Sequence, residues 1–150
     1  MQVYLKPELE ADDFSKISIE ELTMLLSGCP AKKVFEYLES LNEVQRNELK
    51  SQLLIHKTHI RSIKKGHSDL FKWLVDKDRG IASLGKAYII QLLFEKDEDA
   101  KILFHYGAEY NNHKIFEVFL RPEVIIALGA ETVKEILSII DDSDSKYTPL

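Results

Sequence analysis

Beyond Gly66 the chain never runs far without a turn signal. Gly66, Gly80, Gly107 and Pro122 punctuate it, and the segments between such signals, roughly eight to twelve residues each, carry apolar residues at helical spacing. A helix that short is marginal alone and holds only by packing one face against a neighbour. Little of the sequence alternates with a period of two, so no sheet is expected. The fold class that follows is all-α, with short antiparallel helix pairs burying their faces against one another.

The first part of the chain carries stronger local instructions. SIEE, residues 18–21, is a capping box in which the Ser18 hydroxyl accepts from the Glu21 amide while Glu21 reaches back. The helix through ELTMLL should stop at Gly28, which can take the left-handed end conformation. Pro30 suits the first turn of the next helix, AKKVFEYLESL. Asn42 with Gln45 repeats the start signal, and the pattern then predicts one helix from residue 43 to Gly66. Its apolar stripe passes through Leu49, Leu53, His56, Ile60 and Ile63.

With 45% hydrophobic and 30% charged residues over 150 positions, the chain has a globular balance and length enough for a substantial core. No apolar run approaches the ~20 residues that span a bilayer, and MQVYLKPELEADD has no apolar core like that of a signal peptide. Cys29 is the single cysteine and cannot form an internal disulfide, which favours a reducing compartment and a cytoplasmic location. The net charge of −5 hides a pattern. Residues 1–43 sum to −5, residues 44–79 to +5 and residues 80–150 to −5. The overall sign argues against a dedicated nucleic-acid binder, because phosphate recognition wants a concentrated positive field.

EDAKILFHYGAEYN, residues 98–111, reads as an apolar helix from Ala100 to Tyr106, a turn at Gly107, and a polar exit to Asn111. Its Leu103-Phe104 pair has a counterpart 33 residues on (136 − 103) in Ile136-Leu137, and another 29 residues back (103 − 74) in Leu74-Val75. A helix hairpin at a period near 33 is the ankyrin spacing. EDAKILFHYGAEYN resembles the second helix and exit turn of an ankyrin repeat, and GHSDLFKWLVDK resembles the Gly-His opening of that helix in another repeat. Thr148-Pro149-Leu150 resembles the start of a further unit, one residue short of the His that would come next, as if the chain were the leading part of a longer protein. The resemblance covers about residues 66–150 and is degenerate: no Thr-Pro-Leu-His stands inside the chain. Residues 1–65 match no known pattern and read as a helical cap or N-terminal domain on the first of two to three repeats.

What the resemblance implies is a protein-protein interaction module, binding through turn tips and first helices along a concave surface. Carried over by position, Tyr110, Asn112 and His113 fall at the turn after the best repeat, Lys86 and Tyr88 on the preceding first helix, and Asp144, Lys146 and Tyr147 at the later turn. Such a chain could serve as a partner-binding scaffold. The alternatives are the N-terminal region of a larger bacterial effector or adaptor whose repeats recruit a host target, or a structural cap for a longer solenoid.

Other constellations compete with plainer readings. His56 and His59 share a helix face, but a metal needs further converging ligands, so no metal site is expected. HKTHIRSIKKGH, residues 56–67, gathers Lys57, Arg61, Lys64 and Lys65. An acidic protein, a phospholipid headgroup or RNA could use them; alternatively they offset the dipole at a helix C-terminus. Cys29 at a helix start could be an activated thiol, yet no base stands near it in sequence. Asp141, Asp142 and Asp144 lack the Gly and terminal Glu of a calcium loop and read as a solvated turn. Trp73 and the phenylalanines at 71, 94, 104, 116 and 119 read mostly as core. With no phosphate-cradling loop, nucleophile elbow or metal-protease motif, the expectation is binding without catalysis and without a cofactor.

Overall fold

The computed structural model describes residues 16–28 and 30–147, with side chains described as far as Asp141. Cys29 and the Thr148-Pro149-Leu150 motif lie outside the described residues. Within them the chain forms eleven helices and no strand. They are α1 (Ile19–Leu26), α2 (Lys32–Leu38), α3 (Glu43–His56), α4 (Thr58–Lys64), α5 (Asp69–Val75), α6 (Gly80–Leu84), α7 (Lys86–Phe94), α8 (Leu103–Glu109), α9 (His113–Phe119), α10 (Pro122–Leu128) and α11 (Ala130–Tyr147).

Both predicted capping boxes are present. The Glu21 amide donates to Ser18 Oγ at 3.0 Å and the Ser18 amide to Glu21 Oε1 at 3.0 Å; at α3 the corresponding Asn42–Gln45 bonds are 2.8 and 3.0 Å. Other boundaries differ from the sequence reading. Gly28 is not left-handed, since the positive-φ glycines among the described residues are Gly66, Gly85 and Gly129; α1 ends one residue earlier, on Ser27. Pro30 precedes the N-cap of α2 and lies outside its first turn.

The expected long helix from residue 43 to Gly66 is two helices. Lys57 sits in the left-handed region at φ 50°, ψ 44°, closing α3 before α4 begins at Thr58. The Lys57 ammonium fastens this break, donating to the Leu54 carbonyl at 3.2 Å and pairing with Glu95 at 3.3 Å. A break shifts the phase of the apolar stripe. Leu49, Leu53, Ile60 and Ile63 are buried as expected, but His59 is the buried histidine and His56 stands half-exposed.

The C-terminal boundaries move for similar reasons. Gly107 is inside α8, and its place is dictated by packing: a Cβ there would stand 2.4 Å from Ile115 Cδ1 on α9. The turn comes later, where Asn111 takes φ 60° and the Asn112 amide bonds to the Gly107 carbonyl at 2.7 Å. Gly85, at φ 95° and ψ 139°, separates α6 from α7. Pro122 opens α10 as its first residue. DDSDSKY, read as a turn, continues α11.

Helices α1, α4 and α8 pack side by side, and α5 packs on α9. One apolar core runs through the layers from Leu22 to Ile136. Its centre is aromatic: Phe104 meets Phe119 at 4.5 Å between ring centroids, and Phe71 edge-on at 5.6 Å. The series α4 to α7 and α8 to α11 share their breaks. Left-handed residues Gly66 and Asn111 (111 − 66 = 45) follow the first helix of each series, and Gly85 and Gly129 (129 − 85 = 44) precede the last.

Candidate interaction groove

The residues expected to meet a partner divide between surface and interior. Lys86 and His113 are exposed at the starts of α7 and α9, and Tyr110 is 48% exposed beside Tyr106. Tyr88 is buried: its hydroxyl donates to the Lys50 carbonyl at 2.8 Å, pinning α7 to α3. Burial, aided by Glu95, pushes its phenol well above the ordinary value. Asn112 is buried too, its Nδ2 donating to the His67 carbonyl at 3.2 Å and so tying the turn after α8 to the turn after α4. Both were expected at the surface because a helix start or a polar turn looks exposed in sequence; packing of one helix series on another covers them. Asp144, Lys146 and Tyr147 lie on the last helix, so no turn stands there.

Arg61, Lys64 and Lys65 of the basic stretch are exposed and Lys57 is half-buried, and three of the four have a neighbour within the fold. Lys57 pairs with Glu95, Lys64 stands over the Tyr106 ring at 4.3 Å from its centroid, and Lys65 reaches Ser27 Oγ at 3.5 Å. Arg61 is exposed. His56 bonds Gln52 at 2.9 Å and lies 3.8 Å from the Glu20 carboxylate. Among the described residues no group of three or more His, Cys, Asp or Glu is placed to hold a metal ion.

Two arrangements escaped the sequence reading. One is a polar knot in the connection before α8. The Tyr106 hydroxyl donates to Asp97 Oδ2, while Asp97 Oδ1 accepts from the amides of Asp99 at 3.0 Å and Lys101 at 3.1 Å. Burial works to raise the Asp97 carboxyl, but these donors and Lys64 hold it below the usual carboxylate range. The second is a cleft of about 430 Å³ between α2 and α5–α6, lined by Pro30, Lys32, Phe35, Asp69, Lys72, Trp73, Asp76 and Arg79. Phe35 and Trp73 form its floor, ring centroids 6.0 Å apart and planes tilted by 30°. Glu39 Oε2 anchors that floor, accepting from Trp73 Nε1 and from Arg79 Nη1 at 2.9 Å each.

The cleft does not end at α5. A second depression of about 310 Å³ shares Lys72 and Asp76 with it and continues over Val75, Val118 and Val124 to Arg121 and Glu123. The two depressions adjoin at Lys72 and Asp76, and this groove past α2, α5, α9 and α10 is lined by apolar and charged residues together. The available signal was the indole N–H of Trp73, which a buried tryptophan must give to an acceptor; no spacing rule pointed to Glu39, 34 positions away. No helix among the described residues is long and apolar enough to cross a membrane. No protein-family model, no curated protein and no solved structure matches the chain.

Proposed function

We propose that this chain is a non-catalytic protein-binding module of stacked helix hairpins, ankyrin-like in its manner of working, that takes a segment of a partner protein along the groove over α2, α5 and α10. The observation that carries this reading is the groove itself, whose lining combines aromatic and valine side chains with charged ones. Interfaces concentrate binding energy in such a centre, with aromatic anchors surrounded by a polar rim. The stacking of α4 on α8 and of α5 on α9, with matching breaks, supports a repeating unit. The interval between those breaks is 44–45 positions, and the pairs 29 and 33 apart occupy unlike places: Leu74-Val75 end α5, Leu103-Phe104 start α8, and Ile136-Leu137 lie within α11. The stacking therefore supports the reading better than the 33-residue spacing does.

A second face has one observation of its own, the half-exposed Tyr110 near His113. Affinity capture with three variants separates the possibilities. Loss of a discrete protein partner from Lys77→Glu/Arg121→Glu, two lining residues of the second depression, with Tyr110→Ala/His113→Ala retaining it, is the expected result. The reverse pattern would move binding to the turn face. A nucleic acid or anionic lipid released steadily by salt and lost only from Arg61→Glu would reject the protein-binding reading.

A further inference from the structure

Resting on the protein-binding reading, we propose that the cleft between α2 and α5 is a pocket for an aromatic side chain flanked by carboxylates on the partner polypeptide, with Phe35 and Trp73 as its floor and Lys32 and Lys72 as its cationic lips. The floor selects the ring. Pro30, Phe35 and Trp73 offer faces and edges against which an incoming aromatic group can stack or stand edge-on.

The lips select the charge. Every acidic group at the cleft is already engaged: Glu39 Oε2 accepts two donors, Asp76 Oδ1 accepts the Asp78 amide at 2.9 Å, and Asp69 has a polar partner. The Arg79 charge is matched by Glu39. The side chains of Lys32 and Lys72 enter no hydrogen bond or ion pair among the described residues, so theirs are the charged groups of the cleft left without a partner in the fold. Ammonium groups beside an aromatic slot both pair with carboxylates and lie over a ring face. The groove continues past the pocket onto Val75, Val118 and Val124, which gives neighbouring residues of an extended segment a place to lie; a free small acid has no use for it.

Trp73 is the single tryptophan of the chain, so in the ¹⁵N-labelled full chain its indole N–H gives one resonance at the pocket floor. Titration with acetyl-Glu-Phe-Glu-amide is expected to move that resonance saturably. Lys32→Glu/Lys72→Glu is expected to weaken the binding about tenfold, through lost and reversed charge contacts, with the resonance of the unliganded variant and its unfolding midpoint unchanged. Acetyl-Glu-Ala-Glu-amide should leave the resonance still. An equal response to acetyl-Lys-Phe-Lys-amide, or no saturable response to the acidic peptide, overturns the proposal. Tighter binding of 3-phenylpropionate than of the peptide overturns the polypeptide assignment. If the peptides fail while Lys77→Glu/Arg121→Glu still abolishes partner capture, the protein-binding reading stands and this pocket assignment alone falls.

Discussion

Helices α1 and α3 begin on side chains a few residues away, whereas at α2 and from α4 to α10 no N-cap side chain accepts a helix hydrogen bond. At α8 the only relation of that kind runs one way, from the Ile102 amide to His105 Nδ1 at 2.9 Å. In place of local caps the later helices rest on close approach. The backbone of α6 lies on the end of α5, α8 meets α9 through Gly107, and Asn112 bonds across to His67. The first region is specified mainly by neighbours in sequence, the second mainly by neighbours in space. That difference decides which substitutions each region tolerates.

The largest expected effect is at Gly80. A Cβ there would lie 2.3 Å from the Trp73 carbonyl oxygen and 2.5 Å from Leu74 Cα, and backbone cannot step aside as a side chain can. Gly80→Ala should cost more than ~3 kcal/mol or prevent folding, as severe overpacking does. Gly107→Ala is the contrast: its nearest obstacle is the tip of Ile115, which can change rotamer, and alanine in a helix interior recovers part of the loss. Its cost should stay under ~1 kcal/mol. Urea denaturation of the two variants measures both, and similar costs would break the distinction between backbone and side-chain approach.

What could be read in advance follows the same division. The all-α class and both capping boxes were legible, because capping residues and apolar periodicity act within one turn of the chain. Gly107 and Lys57 were misassigned: a glycine that breaks a helix and one that lets two helices touch look alike in sequence, and a lysine carries no signal for a left-handed break. Of the candidate site residues, Tyr110, Lys86, His113, Arg61, Lys64 and Lys65 are exposed, while Tyr88, Asn112 and the Lys57 ammonium serve the fold. The groove was illegible since α2, α5 and α10 come together only through packing.

Acid should weaken the junction between the two regions next. His59 is 2% exposed, and neither ring nitrogen has a hydrogen-bond partner of normal geometry. Burial first, then the Lys57 charge, lowers its pKa from 6.5 to about 3, with the Leu92 backbone opposing. The folded state therefore binds fewer protons than the unfolded state between those values, and stability falls as pH drops through that window. At ~1.4 kcal/mol per pH unit, roughly 2 kcal/mol should disappear between pH 7 and pH 5. Asp97, whose carboxyl is also held low, adds its loss at more acid pH. Denaturation of His59→Leu across this range should show a flatter profile than the parent; parallel profiles would mean that His59 takes up its proton without unfolding.

Capping substitutions sharpen the contrast at smaller scale. Ser18→Ala and Asn42→Ala should each cost ~1 kcal/mol. Ser68 precedes α5 but its side chain makes no cap bond, so Ser68→Ala should fall within ~0.3 kcal/mol of zero. A loss at Ser68 equal to that at Ser18 would mean that local capping also governs the later helices.

The smallest change is expected where the regions join. Lys57→Gly relieves a left-handed residue that costs a non-glycine side chain ~1 kcal/mol, but it releases the more flexible unfolded chain of a glycine, worth ~0.5–1 kcal/mol. It also removes the Glu95 pair, whose side chains are 29% and 31% exposed and therefore screened, so that its worth is at most ~1 kcal/mol. These contributions oppose one another, and the net effect should be a loss of under ~1 kcal/mol. Lys57→Ala keeps the strain and loses the pair, and so should be the worse of the two if the left-handed break itself matters. If alanine instead matches or exceeds glycine in stability, with His59 still buried by its exchange and titration behaviour, then the Glu95 pair and the packing of α4 on α8 hold the break. Lys57 would in that case follow the fold and not direct it.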